Sequence, residues 1–242
     1  MDSIPDLNAY VSGGYFLGRP MARAAFMNPE LLPDAILTAS HCLVDFVPDA
    51  WSIAWSGDSP EERQERASRF QLTGAALEEF MDFCTHALET GELGWPSVLR
   101  DIEIARRVKS QFFSKIEGLV VFGIALAREL VKDFLDETRQ EAGHAGVLTA
   151  LRRGLAPDPS GIALGFDVLG WDWCAFHSYV CNSLENEFAS VLNIRPNQYG
   201  FFDRIEDARR CADHSNLETT GAEPALWRPW LTVVYDSNDT VL

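Results

Sequence analysis

The sequence predicts an α+β fold in a single domain: a twisted mixed β-sheet with helices packed on it. Strand-like and helix-like patterns are mixed along the 242 residues without the regular alternation of a βαβ repeat. The chain is also 47% hydrophobic and 23% charged, which is typical of a globular chain that buries its own core. We expect residues 1–242 to form one domain, with a weak subdivision near residue 157 as the alternative.

In the first half, residues 9–17 predict a strand interrupted by Gly13 and Gly14, residues 33–47 a helix, and residues 51–55 a short strand. Pro60 suits the first position of a helix over PEERQER. Residues 74–91 predict another helix because apolar side chains recur there at intervals of three and four residues, at Leu77, Phe80, Met81, Cys84 and Leu88. A further helical pattern opens at Pro96 and runs through Val108.

The second half begins with IEGLVVFGIAL, a continuous apolar run from Ile116 that predicts a central strand buried on both faces. Residues 128–140 return to helical spacing, and Pro157, Pro159 and Gly161 mark a loop. Residues 162–173 predict a strand with a bend or bulge at Gly170. Residues 176–192 and 206–213 then predict helices, and residues 230–235 a last strand.

The net charge of the chain narrows the classes of molecule that it can bind. Twenty basic and thirty-six acidic side chains give a net charge of -16 and a pI near 4.6. Such a surface repels phosphates, so we expect no direct binding of nucleic acid and no docking on an anionic membrane, whereas a basic protein partner suits it. The five scattered cysteines indicate reduced thiols, and residues 1–5 lack the pattern of a secretory signal, so we expect a cytoplasmic protein.

The common catalytic and nucleotide-binding motifs are missing from the sequence. There is no GxxxxGK[ST], GxGxxG after a strand, GxSxG, HExxH or EF-hand loop. We therefore expect no enzymatic activity, no cofactor and no resident metal.

An acidic helix face is the candidate binding site. In the helix predicted over residues 74–91, Glu78, Asp82 and Glu89 lie within about 40° of one another, and Glu92 extends the stripe. Like charges four residues apart do not stabilise a helix. These acidic residues therefore serve either solubility or the binding of a partner. If they bind a partner, these carboxylates would imitate the phosphates of nucleic acid and dock into a basic cleft of that partner. Five further carboxylates would join them if their segment folds nearby, at Asp45, Asp49, Asp58, Glu61 and Glu62.

A histidine and cysteine stripe is the alternative site. On the helix predicted over residues 176–192 and its N-terminal extension, Cys174, His177, Cys181 and Glu185 are spaced to share one face. The wide apolar arc of that helix favours burial in the core, while a Cys/His-dependent hydrolase or transferase remains the rival and would need a lowered thiol pKa.

Two other histidine and cysteine patterns carry weaker signals. The Cys-x-x-His pairs Cys174/His177 and Cys211/His214 would together offer four zinc ligands. The pairs His41/Cys42 and Cys84/His86 match no known site geometry, so we assign them to core and surface.

The seven tryptophans are predicted mainly to fill the core. Alternation along a strand would turn Trp171 and Trp173 to one side and Asp172 to the other. Exposed tryptophans would instead mark a binding hot spot.

Three stretches carry a family resemblance: GFDVLGWDWCAFHSYVCNSLENEF, LNIRPNQYGFFDRIEDARRCADH and EPALWRPWLTVVYD. Within residues 117–236 they resemble bacterial immunity proteins encoded beside polymorphic or type VI secretion toxins, and most of all the TsiT type, which is paired with a nuclease effector. Such families have no catalytic residues to carry over. We interpret the resembling polar positions as caps and turns, at Asn182, Asn197, Gly200 and Asp203.

The resemblance implies an antitoxin that binds a cognate secreted nuclease toxin. The net charge of -16 independently favours a basic partner, and the substrate cleft of a nuclease is basic. We therefore expect a cytoplasmic immunity protein that occludes its toxin with an acidic surface.

Overall fold

The structure, a computed structural model, describes residues 5–43, 59–95, 97–138, 146–173 and 175–235. Its strands are, in chain order, β1 (Tyr10–Gly18), β2 (Met21–Ala22), β3 (Ala35–Ile36), β4 (Leu93–Gly94), β5 (Val98–Leu99), β6 (Val120–Ala127), β7 (Ile162–Asp172), β8 (Ala175–Ser178) and β9 (Leu226–Val234). Its helices are α1 (Pro60–Ser68), α2 (Ala75–Glu89), α3 (Ile102–Phe112), α4 (Arg128–Glu137), α5 (Gly146–Arg153), α6 (Glu185–Glu187), which a π turn (Phe188–Leu192) continues, and α7 (Ile205–Ser215).

One seven-stranded sheet organises the described part of the chain. Its order is β4-β5-β1-β6-β9-β7-β8, and each of its pairings is antiparallel. Helices pack on it: α5 and α3 lie against β1, α4 lies against β6, and α7 lies against β9 and β7. The predicted α+β class is confirmed. Strands from both sides of residue 157 hydrogen-bond in this one sheet.

The long strands lie where the sequence predicted them, at β1, β6, β7 and β9. The predicted irregularity in β7 was placed wrongly. Gly170 pairs regularly with Trp227 and His177, while the bulge lies between Ala163 and Gly165. Gly165 has a φ of +131°, and a Cβ there would come within 2.8 Å of the Phe202 carbonyl oxygen. Only glycine tolerates that backbone conformation and that close approach together.

Four helix predictions are confirmed: α1, which begins at Pro60, then α2, α4 and α7. The helix predicted over residues 33–47 is wrong for residues 33–43, because Ala35–Ile36 pairs with β2 instead and no helix forms there. Residues 44–50 and the short strand predicted over residues 51–55 lie outside the described residues. The helix predicted from Pro96 begins only at Ile102, because Val98–Leu99 pairs with β1 and β4. The sequence pattern did not predict α5.

The helix predicted over residues 176–192 is wrong for residues 176–184, whereas residues 185–192 are helical. Residues 175–178 form β8, which pairs with β7 in a hairpin, and a helical conformation begins only at Glu185. Ser183, with a φ of 55°, interrupts the segment, and Trp173, with a φ of 42°, lies in the turn just before it. The apolar spacing that imitated a helix belongs to a strand and a turn that are both buried in the tertiary structure.

Four aromatic side chains form the centre of the core. Phe176 meets Trp171 and Trp230 with ring centroids 4.9 and 5.1 Å apart, and Phe134 of α4 contacts both tryptophans at 6.1 and 5.3 Å. All four contacts are edge to face, the arrangement that the ring quadrupoles favour. This cluster packs α4 and the β7–β8 hairpin against Trp230 of β9, a central strand of the sheet.

Trp171, Trp227 and Trp230 are buried, as predicted for core tryptophans. The predicted alternation of Trp171 and Trp173 is wrong because β7 ends at Asp172 and Trp173 lies in the turn that follows, 84% exposed. No helix among the described residues is both long and apolar enough to cross a bilayer.

We expect Trp230→Ala to lower the free energy of unfolding by about 3–5 kcal/mol, because it removes a large side chain that is fully buried in the aromatic cluster. Trp173→Ala makes the same chemical change at an exposed position and should cost less than about 0.5 kcal/mol. Urea unfolding followed by far-UV circular dichroism measures both. Equal losses in the two variants would contradict the central role of the cluster.

Candidate functional site

The exposed face of α2 carries the predicted acidic residues. Leu77, Phe80, Cys84 and Ala87 bury the opposite face. Glu78, Asp82 and Glu89 are exposed, and within the described residues none of the three forms an ion pair. Their charges are therefore open to a partner, and we call Glu78, Asp82 and Glu89 the acidic face.

Glu92 differs from the acidic face. It follows the end of α2, and its carboxylate pairs with Arg107 at 2.9 Å and Arg100 at 3.9 Å. Its side chain is only 22% exposed. The charge of Glu92 is therefore largely used within the fold.

Of the five further carboxylates predicted to join the acidic residues, two lie on α1 and three lie outside the described residues. Glu61 and Glu62 occupy the first turn of α1. The Glu62 carboxylate accepts a hydrogen bond from the Ser59 amide at 2.9 Å, and the Glu62 amide donates to Ser59 Oγ at 3.3 Å, which is a reciprocal capping box. Glu62 thus has a structural role in starting α1. Asp45, Asp49 and Asp58 lie outside the described residues.

An apolar recess of about 630 Å³ adjoins the acidic face. Glu89 and Leu88 line it from the end of α2, and Trp95, with 45% of its surface exposed, lies on its wall. The other lining residues come from β4, β5, α5 and the residues beside these elements, and they include Leu93, Val98, Ala150 and the charged Arg100. Apolar walls with one unpaired carboxylate, that of Glu89, at the margin resemble the apolar centre and polar rim of many protein–protein interfaces.

A second group of functional side chains lies at the other edge of the sheet. His41 and Cys42, on the segment of residues 37–43, meet His177 of β8. Cys42 Sγ lies 3.6 Å from His41 Nε2 and 3.5 Å from His177 Nδ1. The two imidazole rings meet edge to face at 4.7 Å. Two histidines thus flank one exposed thiol.

Backbone contacts with β8 hold His41 in this position. Its amide donates to the Phe176 carbonyl at 2.9 Å, and its Nδ1 lies 2.8 Å from the same oxygen. Because a carbonyl can only accept, Nδ1 carries the proton and Nε2 turns its lone pair to Cys42.

Cys181 and Glu223 complete the group around His177. The ligand atoms of His177, Cys181 and Glu223 lie within 4.8 Å of one another, and the Glu223 carboxylate bonds directly to His177 Nδ1. Asn182 joins the two outer residues, since its Nδ2 lies 3.3 Å from both Cys181 Sγ and Glu223 Oε2. We call His41, Cys42, His177, Cys181 and Glu223 the His–Cys cluster.

The pKa values of the two thiols in the His–Cys cluster are shifted upwards. Burial raises the pKa of Cys181 to about 12, and burial together with the Glu223 carboxylate raises the pKa of Cys42. Burial and the neighbouring His41 lower the pKa of His177 against the opposing effect of Glu223. A cysteine nucleophile needs a lowered thiol pKa, so these shifts count against the alternative of a Cys/His-dependent hydrolase or transferase.

The helical stripe of Cys174, His177, Cys181 and Glu185 does not form, since its helix is replaced by β8 and turns. Glu185 is fully buried elsewhere, where one carboxylate oxygen accepts from the Asn28 amide at 3.1 Å. Burial raises the pKa of Glu185. Cys174 lies outside the described residues.

The zinc site suggested by Cys211 and His214 is not formed by the described residues either. Cys211 is buried in α7, and His214 bonds to Glu187 at 2.9 Å. Neither belongs to a described group of clustered ligands. Sequence reasoning had instead assigned His41 and Cys42 to core and surface, and it missed Glu223. Their clustering depends on contacts between residues about 135 positions apart, which leave no local pattern.

A buried carboxyl group anchors the segment that carries His41 and Cys42. Asp167 of β7 accepts hydrogen bonds from Thr38 Oγ1 at 2.8 Å and from Ser178 Oγ at 3.3 Å. Burial, only partly offset by these bonds, raises the pKa of Asp167 from 3.8 to about 7. Thr38 thereby ties residues 37–43 to the middle of β7.

The resembling polar residues act as turn residues, as predicted. Asn197 Oδ1 accepts from the amides of Tyr199 and Phe201 at 2.9 and 3.1 Å, and its Nδ2 donates to Leu164 and Asp203.

Comparison of the chain with protein-family models, with curated proteins and with solved structures gave no match.

We expect Asp167→Asn to remove a pH dependence of stability. Folded Asp167 keeps a proton that the unfolded chain releases between pH 3.8 and about 7, so wild-type stability should fall as the pH rises through that interval. The variant's free energy of unfolding, relative to wild type, should therefore rise by roughly 1 kcal/mol per pH unit there and level off above it.

Urea unfolding at a series of pH values measures this difference. Asp213→Asn, at an exposed position, is the matched control and should show a much smaller change. A difference between Asp167→Asn and wild type that stays constant with pH would contradict the assignment.

Proposed function

We propose that this protein is a cytoplasmic immunity protein that binds a cognate nuclease toxin and neutralises it. The observation that carries the proposal is the acidic face of α2 beside an apolar recess. The charges of Glu78, Asp82 and Glu89 have no ion-pair partner within the described residues.

Two further considerations select the partner. The net charge of -16 favours a basic protein and speeds its diffusional encounter. The resemblance of residues 117–236 to immunity proteins of the TsiT type supports a nuclease toxin of a type VI secretion system as that basic protein.

In this mechanism the two parts of the surface have different tasks. The acidic face attracts the basic substrate cleft of the toxin and competes there with the phosphates of nucleic acid. The recess with Trp95 then receives apolar side chains of the toxin, which supply the short-range affinity. The toxin is held with its cleft covered, so its substrate cannot enter.

Co-expression with a candidate nuclease toxin from a neighbouring gene tests the proposal. We expect restored growth and a complex that survives gel filtration at low salt and weakens as salt is added. Growth arrest despite equal expression, together with no complex, would reject the proposed function.

Charge reversal tests the acidic face. We expect Glu78→Lys, Asp82→Lys and Glu89→Lys together to lower the association rate constant by about 10-fold or more at low salt and to reduce its salt dependence, because steering is lost. The matched control reverses three exposed carboxylates elsewhere, at Glu30, Glu117 and Glu218. Stopped-flow or surface-based kinetics measure both triple variants. If both slow association equally, net charge and not the acidic face is responsible.

Truncation of Trp95 tests the recess. Trp95→Ala should weaken binding by about 10-fold or more, mainly through faster dissociation, because exposed tryptophans are frequent anchors of an interface. Trp173→Ala, at the opposite edge of the sheet, is the matched control and should leave the dissociation rate unchanged. An unchanged rate in Trp95→Ala would exclude the recess from the interface.

A further inference from the structure

The His–Cys cluster collects metal-binding side chains from three separate parts of the chain. His41 and Cys42 come from the segment of residues 37–43, His177 and Cys181 come from β8 and the turn that follows it, and Glu223 precedes β9. Imidazole nitrogen and cysteine sulfur are the ligands that zinc prefers in proteins, whereas calcium and magnesium require oxygen.

The spacing of three ligand atoms, from His41, Cys42 and His177, fits three corners of a tetrahedral zinc site, and Cys181 lies within reach of His177. With Zn–S of about 2.3 Å and Zn–N of about 2.0–2.1 Å, tetrahedral angles place sulfur and nitrogen about 3.5–3.6 Å apart. Cys42 Sγ lies 3.6 Å from His41 Nε2 and 3.5 Å from His177 Nδ1. These three ligand atoms all lie within 4.8 Å of one another.

The surrounding hydrogen bonds also suit a metal site. Histidines that bind metals usually donate the other ring N–H to a carbonyl or carboxylate, and His41 does so to the Phe176 carbonyl. The Cys181 thiol donates to the Ser178 carbonyl at 2.9 Å, a bond that is lost when Cys181 binds metal as a thiolate. Its Sγ also accepts from Asn182 Nδ2 at 3.3 Å and from Ser40 Oγ at 3.9 Å. Such donors stabilise a coordinated thiolate.

We propose that His41, Cys42, His177 and Cys181 bind one zinc ion, with Glu223 beside it as an outer carboxylate. Nδ1 of His177 exchanges its contact with Glu223 for the metal, and Nε2 of His41 is already directed at the site. Both cysteines bind as thiolates, and their protons leave to solvent. The coordination is neutral overall, because two thiolates balance the charge of Zn²⁺.

Zinc in this position would have a structural effect. β8 is an edge strand of the sheet, and the segment of residues 37–43 covers part of that edge through the backbone bond from His41 to Phe176. The metal would fasten this segment to β8 and to the turn after it. Its role is therefore to stabilise one edge of the fold, separate from the acidic face.

Zinc titration of the whole protein tests the proposal. The protein is purified without a metal-affinity column, stripped with a chelator, and titrated with zinc sulfate in competition with a chromogenic chelator. We expect one zinc ion per chain and a higher melting temperature with zinc, since zinc binds the folded state. Cobalt in place of zinc should give the absorption of a tetrahedral thiolate site.

Variants identify the ligands. Cys42→Ala and Cys181→Ala should each raise the dissociation constant for zinc by at least about 10-fold. Cys84→Ala and His86→Asn remove a thiol and an imidazole outside the cluster and should bind zinc as the wild type does. Glu223→Gln should keep binding within a few-fold of wild type.

Three results would overturn the proposal. One is zinc binding that is equally weak in wild type and in the double variant of Cys42 and Cys181. Another is loss of binding in Glu223→Gln while Cys181→Ala retains it. Should a cysteine variant fail to fold, alkylation of wild type decides instead: zinc should protect Cys42 and Cys181 from iodoacetamide, and equal labelling with and without zinc is the third overturning result.

Discussion

The fold depends on the insertion of β9 between β6 and β7. This last described strand pairs with β6 along residues 122–126 and with β7 along residues 162–171, so it joins the two halves of the chain in one sheet. The aromatic contacts of Trp230 with Phe134 and Phe176 stabilise the same junction from one side. β9 lies far along the chain from β6, so β6 and β7 join in one sheet only when residues 226–234 are present.

That junction also determines where the functional side chains lie. Pairing of β7 with β9 directs the β7–β8 hairpin to one edge of the sheet, and His177 lies on β8. The buried Asp167 on β7 then holds Thr38, which brings His41 and Cys42 to the same edge. At the opposite edge, β4 receives the end of α2 and with it Glu89 and the recess.

The sequence predicted the long strands, including the fully buried β6 with its continuous apolar run, and the clearly amphipathic helices. The helix around Leu77 and Phe80 is amphipathic, so its buried and acidic faces could be assigned correctly. The segment from Phe176 to Leu192 failed because most of its apolar residues are buried on a strand and in turns, where spacing no longer reports secondary structure. The His–Cys cluster could not be predicted at all, since it depends on tertiary pairing between residues 41 and 176.

The two candidate sites should be energetically independent. The sheet order puts β4 at one edge and β8 at the other, with five strands between them. Sites that share no contacting residues usually have additive effects on stability, and a change at one then leaves binding at the other unchanged. If the acidic face binds a basic partner as proposed, zinc bound by the His–Cys cluster would therefore leave that binding unchanged.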